Sequence, residues 1–489
     1  MEIYKHFVDG VDFVGEADEM PTIDPYEERE WAQIAVAGES AVDAAVAAAR
    51  RALPAWKSLP GVARGKVLTA IADQMERDAA ELAAVETRDN GKLLRENLNQ
   101  IGFAVRVLRY YAGWADKIGG ETKPQDNPEA FAFTTREPYG VAVLITSWNS
   151  PLNLLINKLS VALATGNCVV VKPSEHASAS TLHFARTIAK AGVPAGVVNI
   201  LGGGPKTGEL LTSHPDVNKI SFTGGIVAAR LIAANAAQNV VPLTLELGGK
   251  SANIVFGDAD LDLAVPGIVS GIFAAGGQSC VAGSRVLVHD SIYDRVIEAV
   301  KNRAESIVLG DPRVAETQMG PLAFGAQLNR VLEVVGQAGG EGARLVTGGV
   351  RPESTPTGFF LSPTIFADVD NRSYIAQNEI FGPVLSILRF SDQDEAVRIA
   401  NDTPFGLAAG VWTKDVTVAH RVARQLRAGT VWVNTYRTNT AQTPSGGFGL
   451  SGYGRERGHE AILDYTTTKS TMIDLSGKAR DPFVLGTGQ

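Results

Sequence analysis

Cysteine and basic residues are both scarce in this sequence. Only two of its 489 residues are cysteine, too few for a disulfide scaffold, which favours a reducing compartment. Its 45 Lys and Arg are outnumbered by 53 Asp and Glu, and the net charge of -8 argues against a nucleic-acid partner. No stretch approaches the ~18 uninterrupted apolar residues of a membrane span, and the first residues lack the pattern of a signal peptide. We therefore expect a cytoplasmic protein that binds neither nucleic acid nor membrane.

The sequence does contain enough apolar material for more than one core. A chain of 489 residues exceeds the size at which a single core keeps growing, and 45% of its residues are apolar. Helical periodicity occupies residues 38–119 in three blocks. From Gly140, short apolar runs such as VAVLI, CVVVK and KISFT alternate with helical stretches. This alternation predicts a doubly wound parallel sheet, whose ligands bind beyond the carboxyl ends of its strands.

The same alternation begins again after Gly248, with runs such as ANIVF, RVLVH, SILRF and TVWVN. We expect an α/β fold with a Rossmann-like dinucleotide domain, a second α/β catalytic domain and a small β element. The expected boundaries are 1–120 and 139–247, then 248–448, and for the β element 121–138 and 449–489. Because strands in the β element could cover each other's open edges across a subunit interface, we predict a homodimer or homotetramer.

The segment GGQSCVAGSR, residues 276–285, places one of the two cysteines among glycines and serines. A nucleophilic cysteine needs low steric cover, which this segment supplies to Cys280. A small buried core cysteine is at least as good an interpretation of the segment taken alone. For Cys168, directly before the apolar run VVV, the core interpretation is favoured.

Two further polar residues stand where a ligand of such a sheet would bind. Glu246 interrupts the apolar run in VPLTLELGGK, and a buried carboxyl with a raised pKa could take a proton from water. Binding to the backbone amides of the Gly-Gly turn explains Glu246 equally well. Asn149 follows the strand VAVLI, where its amide could donate to a developing oxyanion, although turn asparagines are more common.

Weaker patterns indicate a nucleotide. Lys172 and Glu175 follow the strand CVVVK and suit the hydroxyl groups of a ribose, although a lysine three residues before a glutamate is frequent on solvated faces. The segment FTGGIVAAR, residues 222–230, predicts a strand, a Gly-Gly turn and a helix start that favours a pyrophosphate. Neither pattern is specific by itself.

In their joint order these segments resemble the aldehyde dehydrogenase superfamily from about residue 20 to about residue 475. The resemblance is carried by REPYGVAVLITSWNSP, VVVKPSEHAS, GVVNILGG, KISFTGG, LTLELGGKSANIVFGDADLD, GGQSCVAGSR, NEIFGPVLSI and SGGFGLSGYGRERG. The spacing between Glu246 and Cys280 is also similar to that of the family. The joint order is far more specific than any one motif.

The resemblance implies a reaction and a set of roles. Cys280 would attack the aldehyde, Asn149 and the Cys280 backbone N–H would hold the oxyanion, and Glu246 would activate the water that hydrolyses the thioester. No metal is implied. The cofactor would be held by Thr146, Trp148, Lys172, Ser174, Glu175, Gly204, Gly225, Leu247, Glu379 and Phe381. Because Glu175 would repel a 2′-phosphate, we expect NAD to be preferred, with NADP as the alternative.

The chain departs from the family pattern around the aldehyde substrate. Ser147 replaces the usual proline, and small or amide side chains replace bulky ones in the helix that follows. The hypothetical pocket comprises Ser150, Asn153, Asn157, Ser279, Tyr436, Arg437, Asn439 and Ser445. A polar wall favours a functionalised aldehyde, with Arg437 as a carboxylate contact. A broad-range enzyme for aliphatic or aromatic aldehydes is the alternative.

Other classes of protein account for these residues less well. The acyl-CoA-forming branch of the family lacks a glutamate at the position of Glu246. A glyceraldehyde-phosphate enzyme would need an Arg-rich pocket, which the sequence does not reveal. A cysteine esterase would need a histidine partner, and none of the seven histidines stands in a recognisable signature. An inactive relative used for binding is disfavoured by the three intact catalytic positions.

Overall fold

Short strands at the N-terminus frame the first domain. The computed structural model describes residues 1–15, 18–478 and 483. The strands before the first helix are β1 (Glu2–Tyr4), β2 (His6–Val8), β3 (Val11–Phe13), β4 (Glu19–Asp24) and β5 (Arg29–Ala35). Strands β1, β5 and β4 form a three-stranded sheet, whereas β2 and β3 extend the edge of a larger sheet.

Four helices follow, where the periodicity predicted three blocks. They are α1 (Glu39–Ser58), α2 (Gly61–Arg77), α3 (Ala79–Asn90) and α4 (Leu94–Trp114). The predicted second block is wrong as a single helix, because Asp78 (φ -87°, ψ 4°) leaves helical geometry between α2 and α3. The apolar period continues across the break, which is why the sequence pattern does not reveal it.

The first large sheet has eight strands, five of them parallel and joined by helices. Its elements, after β6 (Thr122–Lys123) and β7 (Ala130–Pro138), are β8 (Val141–Ile145), α5 (Pro151–Ala164), β9 (Cys168–Lys172), α6 (Ala179–Lys190), β10 (Val198–Ile200), α7 (Pro205–Ser213), β11 (Lys219–Thr223), α8 (Ile226–Gln238) and β12 (Leu243–Glu246). The parallel strands run in the order β12-β11-β8-β9-β10, and every residue of β8, β9 and β11 is buried. Such continuous burial explains why these strands are uninterrupted apolar runs in the sequence.

The second large sheet has seven strands and a separate core on each face. Its elements are β13 (Ala252–Val255), α9 (Leu261–Phe273), β14 (Arg285–His289), α10 (Tyr293–Glu305), α11 (Gly325–Gly340), β15 (Arg344–Thr347), β16 (Thr364–Ala367), α12 (Tyr374–Gln377), β17 (Val384–Phe390), α13 (Gln393–Asn401), β18 (Ala408–Trp412), α14 (Val416–Gln425) and β19 (Thr430–Val433). Only β15 runs antiparallel to its neighbour. The predicted α/β fold class is therefore confirmed.

The C-terminal segment returns to both the first sheet and β7. It contains β20 (Gly452–Tyr453), α15 (Glu460–Asp464) and β21 (Thr466–Asp474). Strand β20 pairs antiparallel with β12, so that Gly452 lies opposite Glu246. Strand β21 pairs along its nine residues with β7 of the same chain, and β6 completes this three-stranded sheet. The two predicted β-prone segments therefore pair with each other within one chain, and one edge of β21 is left open.

Two features of the described chain bear on the sequence predictions. No helix among the described residues is long and apolar enough to cross a membrane. Within the same residues, no group of three His, Cys, Asp or Glu side chains is arranged to hold a metal ion. The end of the predicted β element, residues 479–482 and 484–489, lies outside the described residues.

Candidate active site

Two adjoining cavities lie at the carboxyl ends of the parallel strands of the first sheet. The larger, of about 610 Å³, lies between β8, β9, β11 and the helices α7 and α8. The smaller, of about 380 Å³, is lined by Cys280 and Glu246. Both are lined by Ser147, Trp148, His176, Thr223, Gly224 and Gly225, so they form one continuous cleft. This is where a doubly wound sheet binds its ligand.

The loop that carries Cys280 has an unusual backbone. Ala275, Gly276 and Gly277, which precede Gln278 and Ser279 in this loop, all have positive φ values of 54°, 61° and 73°. At Gly277 a Cβ atom would stand 2.1 Å from the carbonyl oxygen of Gly382, so no larger residue fits. This compact turn brings Cys280 to the wall of the smaller cavity, half-buried.

Asn149 is tied to the same loop. Its Nδ2 donates to the carbonyl oxygen of Gln278 at 3.0 Å, two residues before the cysteine. The Gln278 side chain in turn accepts from the backbone N–H of Ala323 at 2.9 Å and donates to the carbonyl of Ala275. Since an asparagine amide has two N–H groups, the second can serve an oxygen bound beside Cys280. The structure therefore brings Asn149 and Cys280 together at one cavity.

Glu246 is buried at the end of β12 and lines the same cavity. Among the described residues, no group donates a hydrogen bond to its Oε1. Burial, together with the Glu456 carboxylate, raises the pKa of Glu246 to about 8, and the Lys158 ammonium opposes this rise. A carboxyl with this pKa can accept a proton near neutral pH.

The surroundings of Cys280 disfavour the thiolate form of its side chain. Burial raises its pKa to about 12, and the carboxylates of Glu246 and Glu379 act in the same direction. The Arg437 guanidinium opposes them. Because the thiolate is the nucleophile, the thiol proton must leave Cys280 before or during the attack.

A buried ion pair acts on the pKa of Glu246, and the sequence predictions missed this pair. Lys158 on α5 forms an ion pair with the Glu456 carboxylate and donates to Ser221 Oγ at 3.0 Å. Both Lys158 and Glu456 are almost fully buried. The signal in the sequence was the single charge in the apolar run PLNLLINKLSVALA, since a buried charge requires a partner.

The larger cavity has the donors and acceptors that a dinucleotide needs. Lys172 Nζ donates to the carbonyl of Pro173 at 2.9 Å and lies 3.8 Å from Glu175 Oε2. In the described chain, the buried hydroxyl oxygens of Thr146 and Thr223 have no hydrogen-bond partner. Helix α8 begins directly after Gly225 and presents its free N–H groups there. The expected cofactor residues lining this cavity are Thr146, Trp148, Lys172, Ser174, Glu175 and Gly225, and Gly204 stands at the start of α7, whose first turn lines it.

Three expected cofactor residues, Leu247, Glu379 and Phe381, line the smaller cavity. Glu379 Oε1 accepts from the backbone N–H of Gly249 at 3.2 Å, and burial raises the pKa of Glu379 to about 7. A Cβ at Gly248 would stand 2.0 Å from Glu379 Oε2, so glycine is needed for the carboxyl group to lie there.

Aromatic rings form one wall where the two cavities meet. The Trp148 ring packs edge-on against Phe381, at 5.1 Å between centroids, and against Phe324, at 5.2 Å. His176, which the sequence predictions missed, stacks on Phe324 at 3.9 Å. These rings give the cleft an apolar wall in the cavity that Cys280 also lines.

The expected pocket residues of α5 have unused polar atoms. The Oδ1 atoms of Asn153 and Asn157 are buried, and no described group donates to either. Ser150 is instead engaged: its Oγ donates to the carbonyl of Asn149 at 2.7 Å and accepts from Lys92 Nζ at 2.9 Å. The asparagine oxygens therefore have no partner among the described residues, and neither Asn153 nor Asn157 lines the two cavities, whereas the Ser150 hydroxyl is satisfied internally.

The remaining expected pocket residues are placed in different ways. Tyr436 is buried in the core of the second domain, and its hydroxyl donates to the carbonyl of Val281 at 3.0 Å. Arg437 Nη1 donates to the carbonyls of Ser270 and Ala274, at 3.3 and 3.4 Å. Asn439 is exposed and donates to the Arg437 carbonyl. Ser445 forms a backbone bridge with Glu456, and Ser279 lines a small void together with Glu379 and Phe381.

Comparisons with known proteins agree with this arrangement. Residues 13–471 match the profile described as the aldehyde dehydrogenase family. The (Z)-2-((N-methylformamido)methylene)-5-hydroxybutyrolactone dehydrogenase of Acinetobacter baylyi is 44% identical over 99% of this chain and 100% of its own length. The betaine aldehyde dehydrogenase of Vibrio vulnificus is 40% identical, covering 97% of this chain and 98% of its own.

Solved structures match the whole fold. The betaine aldehyde dehydrogenase of Staphylococcus aureus in complex with NAD+ superposes with a TM-score of 0.96 at 37% identity, covering 98% of this chain and 97% of that one. The NAD+ complex of an aldehyde dehydrogenase from Bacillus cereus gives a TM-score of 0.95 at 40% identity, with 97% of each chain covered.

Proposed function

Because the chain belongs to the aldehyde dehydrogenase family and oxidises aldehydes to carboxylic acids with a nicotinamide cofactor, we propose that Cys280 is its nucleophile. We further propose that NAD+ is the preferred cofactor and that the aldehyde carries a polar or charged group. The observation that supports this most is that Cys280, Asn149 and Glu246 line one cavity, continuous with the cleft of Lys172 and Glu175.

In the first step, the Cys280 sulfur attacks the aldehyde carbon and the thiol proton passes to a water molecule in the cavity. The resulting thiohemiacetal oxygen receives hydrogen bonds from Asn149 Nδ2 and the Cys280 backbone N–H. One donor of this kind contributes about 3 kcal/mol of transition-state stabilisation. The Asn149 hydrogen bond to Gln278 fixes the amide relative to the sulfur before the substrate arrives.

The cofactor would be bound by residues of both domains. Lys172 and Glu175 would hold the adenosine ribose, the start of α8 at Gly225 the diphosphate, and Glu379 the second ribose. When bound, the nicotinamide ring accepts the hydride that leaves the substrate carbon. The carboxylate of Glu175 disfavours a 2′-phosphate at the adenosine ribose, which supports the preference for NAD+.

Hydrolysis of the Cys280 thioester completes the reaction. A water in the cavity gives a proton to the Glu246 carboxylate as it attacks the thioester carbon. The bond between that carbon and the Cys280 sulfur then breaks, which releases the acid and leaves the sulfur on the enzyme to regain a proton. The raised pKa of Glu246 makes it a stronger base than an exposed carboxylate. The Lys158–Glu456 ion pair holds charged groups next to Glu246 throughout this step.

The substrate class is inferred from α5 and from the relatives. The Asn153 and Asn157 oxygens are buried and lack donors, which is costly beside an alkyl chain. Two similar enzymes are named for betaine aldehyde and for a methylformamido-substituted hydroxybutyrolactone, both of which carry polar or charged groups. These observations support a functionalised aldehyde over a simple aliphatic one.

The test follows the absorbance of reduced cofactor across an aldehyde panel. Cys280→Ala should show no oxidation, whereas Glu246→Gln should give one burst and then stall, because only deacylation needs the carboxylate. Cys168→Ala is the matched control, since this thiol is buried in β9 and should leave turnover unchanged. Oxidation by Cys280→Ala at the wild-type rate would contradict the proposal, as would a wild-type preference for hexanal over every functionalised aldehyde.

A further inference from the structure

Arg457 carries a guanidinium group with which no described residue forms a hydrogen bond or an ion pair. Its Nε is buried and has no hydrogen-bond acceptor among the described residues. The group stands 5.8 Å from the centre of the Phe103 ring of α4, which provides an apolar floor but no acceptor. Burying a guanidinium N–H without an acceptor is costly, so the arrangement suits a ligand better than a purely structural role.

The position of Arg457 is well determined by its surroundings. It follows Glu456, whose carboxylate is held by Lys158, and it precedes Gly458, whose carbonyl accepts from the Tyr111 hydroxyl at 2.9 Å. Arg457 itself has a φ of 61°, a left-handed conformation that is unfavourable for a residue with a side chain. The contacts of Glu456 and Gly458 hold the backbone in place on both sides of Arg457.

Arg457 lies close to the catalytic groups. Strand β20 pairs with β12 opposite Glu246, and the chain reaches Arg457 only four residues after Tyr453. Burial lowers the pKa of Arg457, whereas the negative groups of Glu456, Glu246 and Cys280 oppose that effect. The guanidinium is therefore within electrostatic range of both Cys280 and Glu246.

A second cation and two amides complete the surroundings of the site. Arg437 uses Nη1 for two backbone carbonyls at the base of the Cys280 loop, and its charge lowers the pKa of Cys280 against the larger effect of burial. The unpartnered oxygens of Asn153 and Asn157 lie on α5, which packs against the helix of Phe103. A cationic aldehyde would be repelled by the two arginines, whereas an anionic one would be attracted.

We propose that the aldehyde substrate carries a carboxylate and that Arg457, assisted by the charge of Arg437, binds it while Cys280 attacks the carbonyl at the other end. The proposal rests on the proposed function, because it assigns the far end of the same substrate. A guanidinium fork matches a carboxylate in geometry and gives the stronger, charge-assisted kind of hydrogen bond. The Asn153 and Asn157 oxygens would accept from hydroxyl or amide groups along the substrate.

The first experiment uses the wild-type enzyme and compares each carboxylate aldehyde with its own methyl ester. The kcat/KM for 4-oxobutanoate and 5-oxopentanoate is measured against that for their methyl esters, for betaine aldehyde and for glyceraldehyde 3-phosphate. We expect at least one carboxylate to exceed its ester by about tenfold or more, since loss of a charged hydrogen bond has an effect of this size. Preference for the esters or for betaine aldehyde overturns the proposal, and preference for glyceraldehyde 3-phosphate assigns the site to phosphate instead.

The second experiment uses variants of the arginine. Arg457→Gln should lower the ratio of carboxylate to ester kcat/KM about 10- to 100-fold, and Arg457→Lys, which keeps the charge but loses the fork, should lie between. Arg372→Gln, at a side chain that is 86% exposed, should leave both rates unchanged. An unaltered ratio in Arg457→Gln overturns the proposal even if both rates fall together.

The two proposals fail in distinguishable ways. If the carboxylate preference is absent but oxidation of the esters still depends on Cys280, only the role of Arg457 is wrong. If Cys280→Ala retains wild-type oxidation of every probe, the proposed function itself is wrong. Should Arg457→Gln fail to fold, the wild-type comparison alone still decides the substrate charge.

Discussion

The pKa of Glu246 makes a quantitative prediction about the rate of thioester hydrolysis. With a pKa of about 8, the carboxylate is the basic form in about 10% of molecules at pH 7 and about 90% at pH 9. If the carboxylate activates the water, the deacylation rate should rise about ninefold over this interval. Glu246→Gln should lose both the rate and its dependence on pH.

The assay separates acylation from deacylation in a stopped-flow experiment. The burst of reduced cofactor reports acylation, and the slope that follows reports deacylation when the burst equals the concentration of active sites. Acylation by Cys280 has a different dependence, because the pKa of that thiol is raised to about 12. A deacylation slope that is equal at pH 7 and pH 9 would refute the assignment of Glu246 as the base.

A second perturbation tests the physical cause of the raised pKa. The Glu456 carboxylate raises the pKa of Glu246, and the Lys158 ammonium lowers it. Glu456→Gln removes the first effect and leaves the second, so the midpoint of the deacylation profile should move to lower pH. A midpoint that moves upward would show that the Lys158–Glu456 pair acts on Glu246 in another way.

Three further predictions follow from the same geometry. Gly248→Ala should displace the Glu379 carboxyl and raise the KM for NAD+ about tenfold. Gly102→Ala is the control, because no atom lies within 4 Å of the Cβ it would add. Equal KM values in both variants would contradict this prediction. Glu175→Gln should raise the ratio of NADP+ to NAD+ kcat/KM, because a charge that repels the 2′-phosphate is removed; a wild-type enzyme that already prefers NADP+ would refute the reasoning. Strand β21 has an open edge on which Met472 is 74% exposed, so light scattering at micromolar concentration should detect a dimer or tetramer, and a monomer would contradict the predicted oligomer.

The sequence predicted the parts of the fold that depend on local pattern. Buried parallel strands are uninterrupted apolar runs, so the ends of β8, β9 and β11 could be predicted to within one residue. The division between α2 and α3 could not, because a single residue with non-helical dihedral angles leaves the apolar period intact. The pairing of β7 with β21 also depends on tertiary structure, since both segments are simply β-prone in sequence.

The site shows the same distinction. Cys280, Glu246 and Asn149 stand in recognisable segments at strand ends or in a glycine-rich loop, and the structure places all three around one cavity. Their roles in the reaction stay predictions. Arg457 was missed because the ring it contacts, Phe103, and the groups whose charges act on it, Glu246 and Cys280, belong to distant parts of the chain. Tyr436 illustrates the reverse case, because its position next to Arg437 in sequence did not reveal that it packs in the core.

The ion pair between Lys158 and Glu456 has a consequence for biosynthesis. Its two members are 298 residues apart, so the lysine leaves the ribosome long before the glutamate exists. Until then, α5 cannot settle in its final environment without enclosing an uncompensated ammonium, which strongly destabilises the packed state. The nucleotide-binding half should therefore complete its folding only after release of the C-terminal segment, and nascent chains stopped before β20 should stay sensitive to protease.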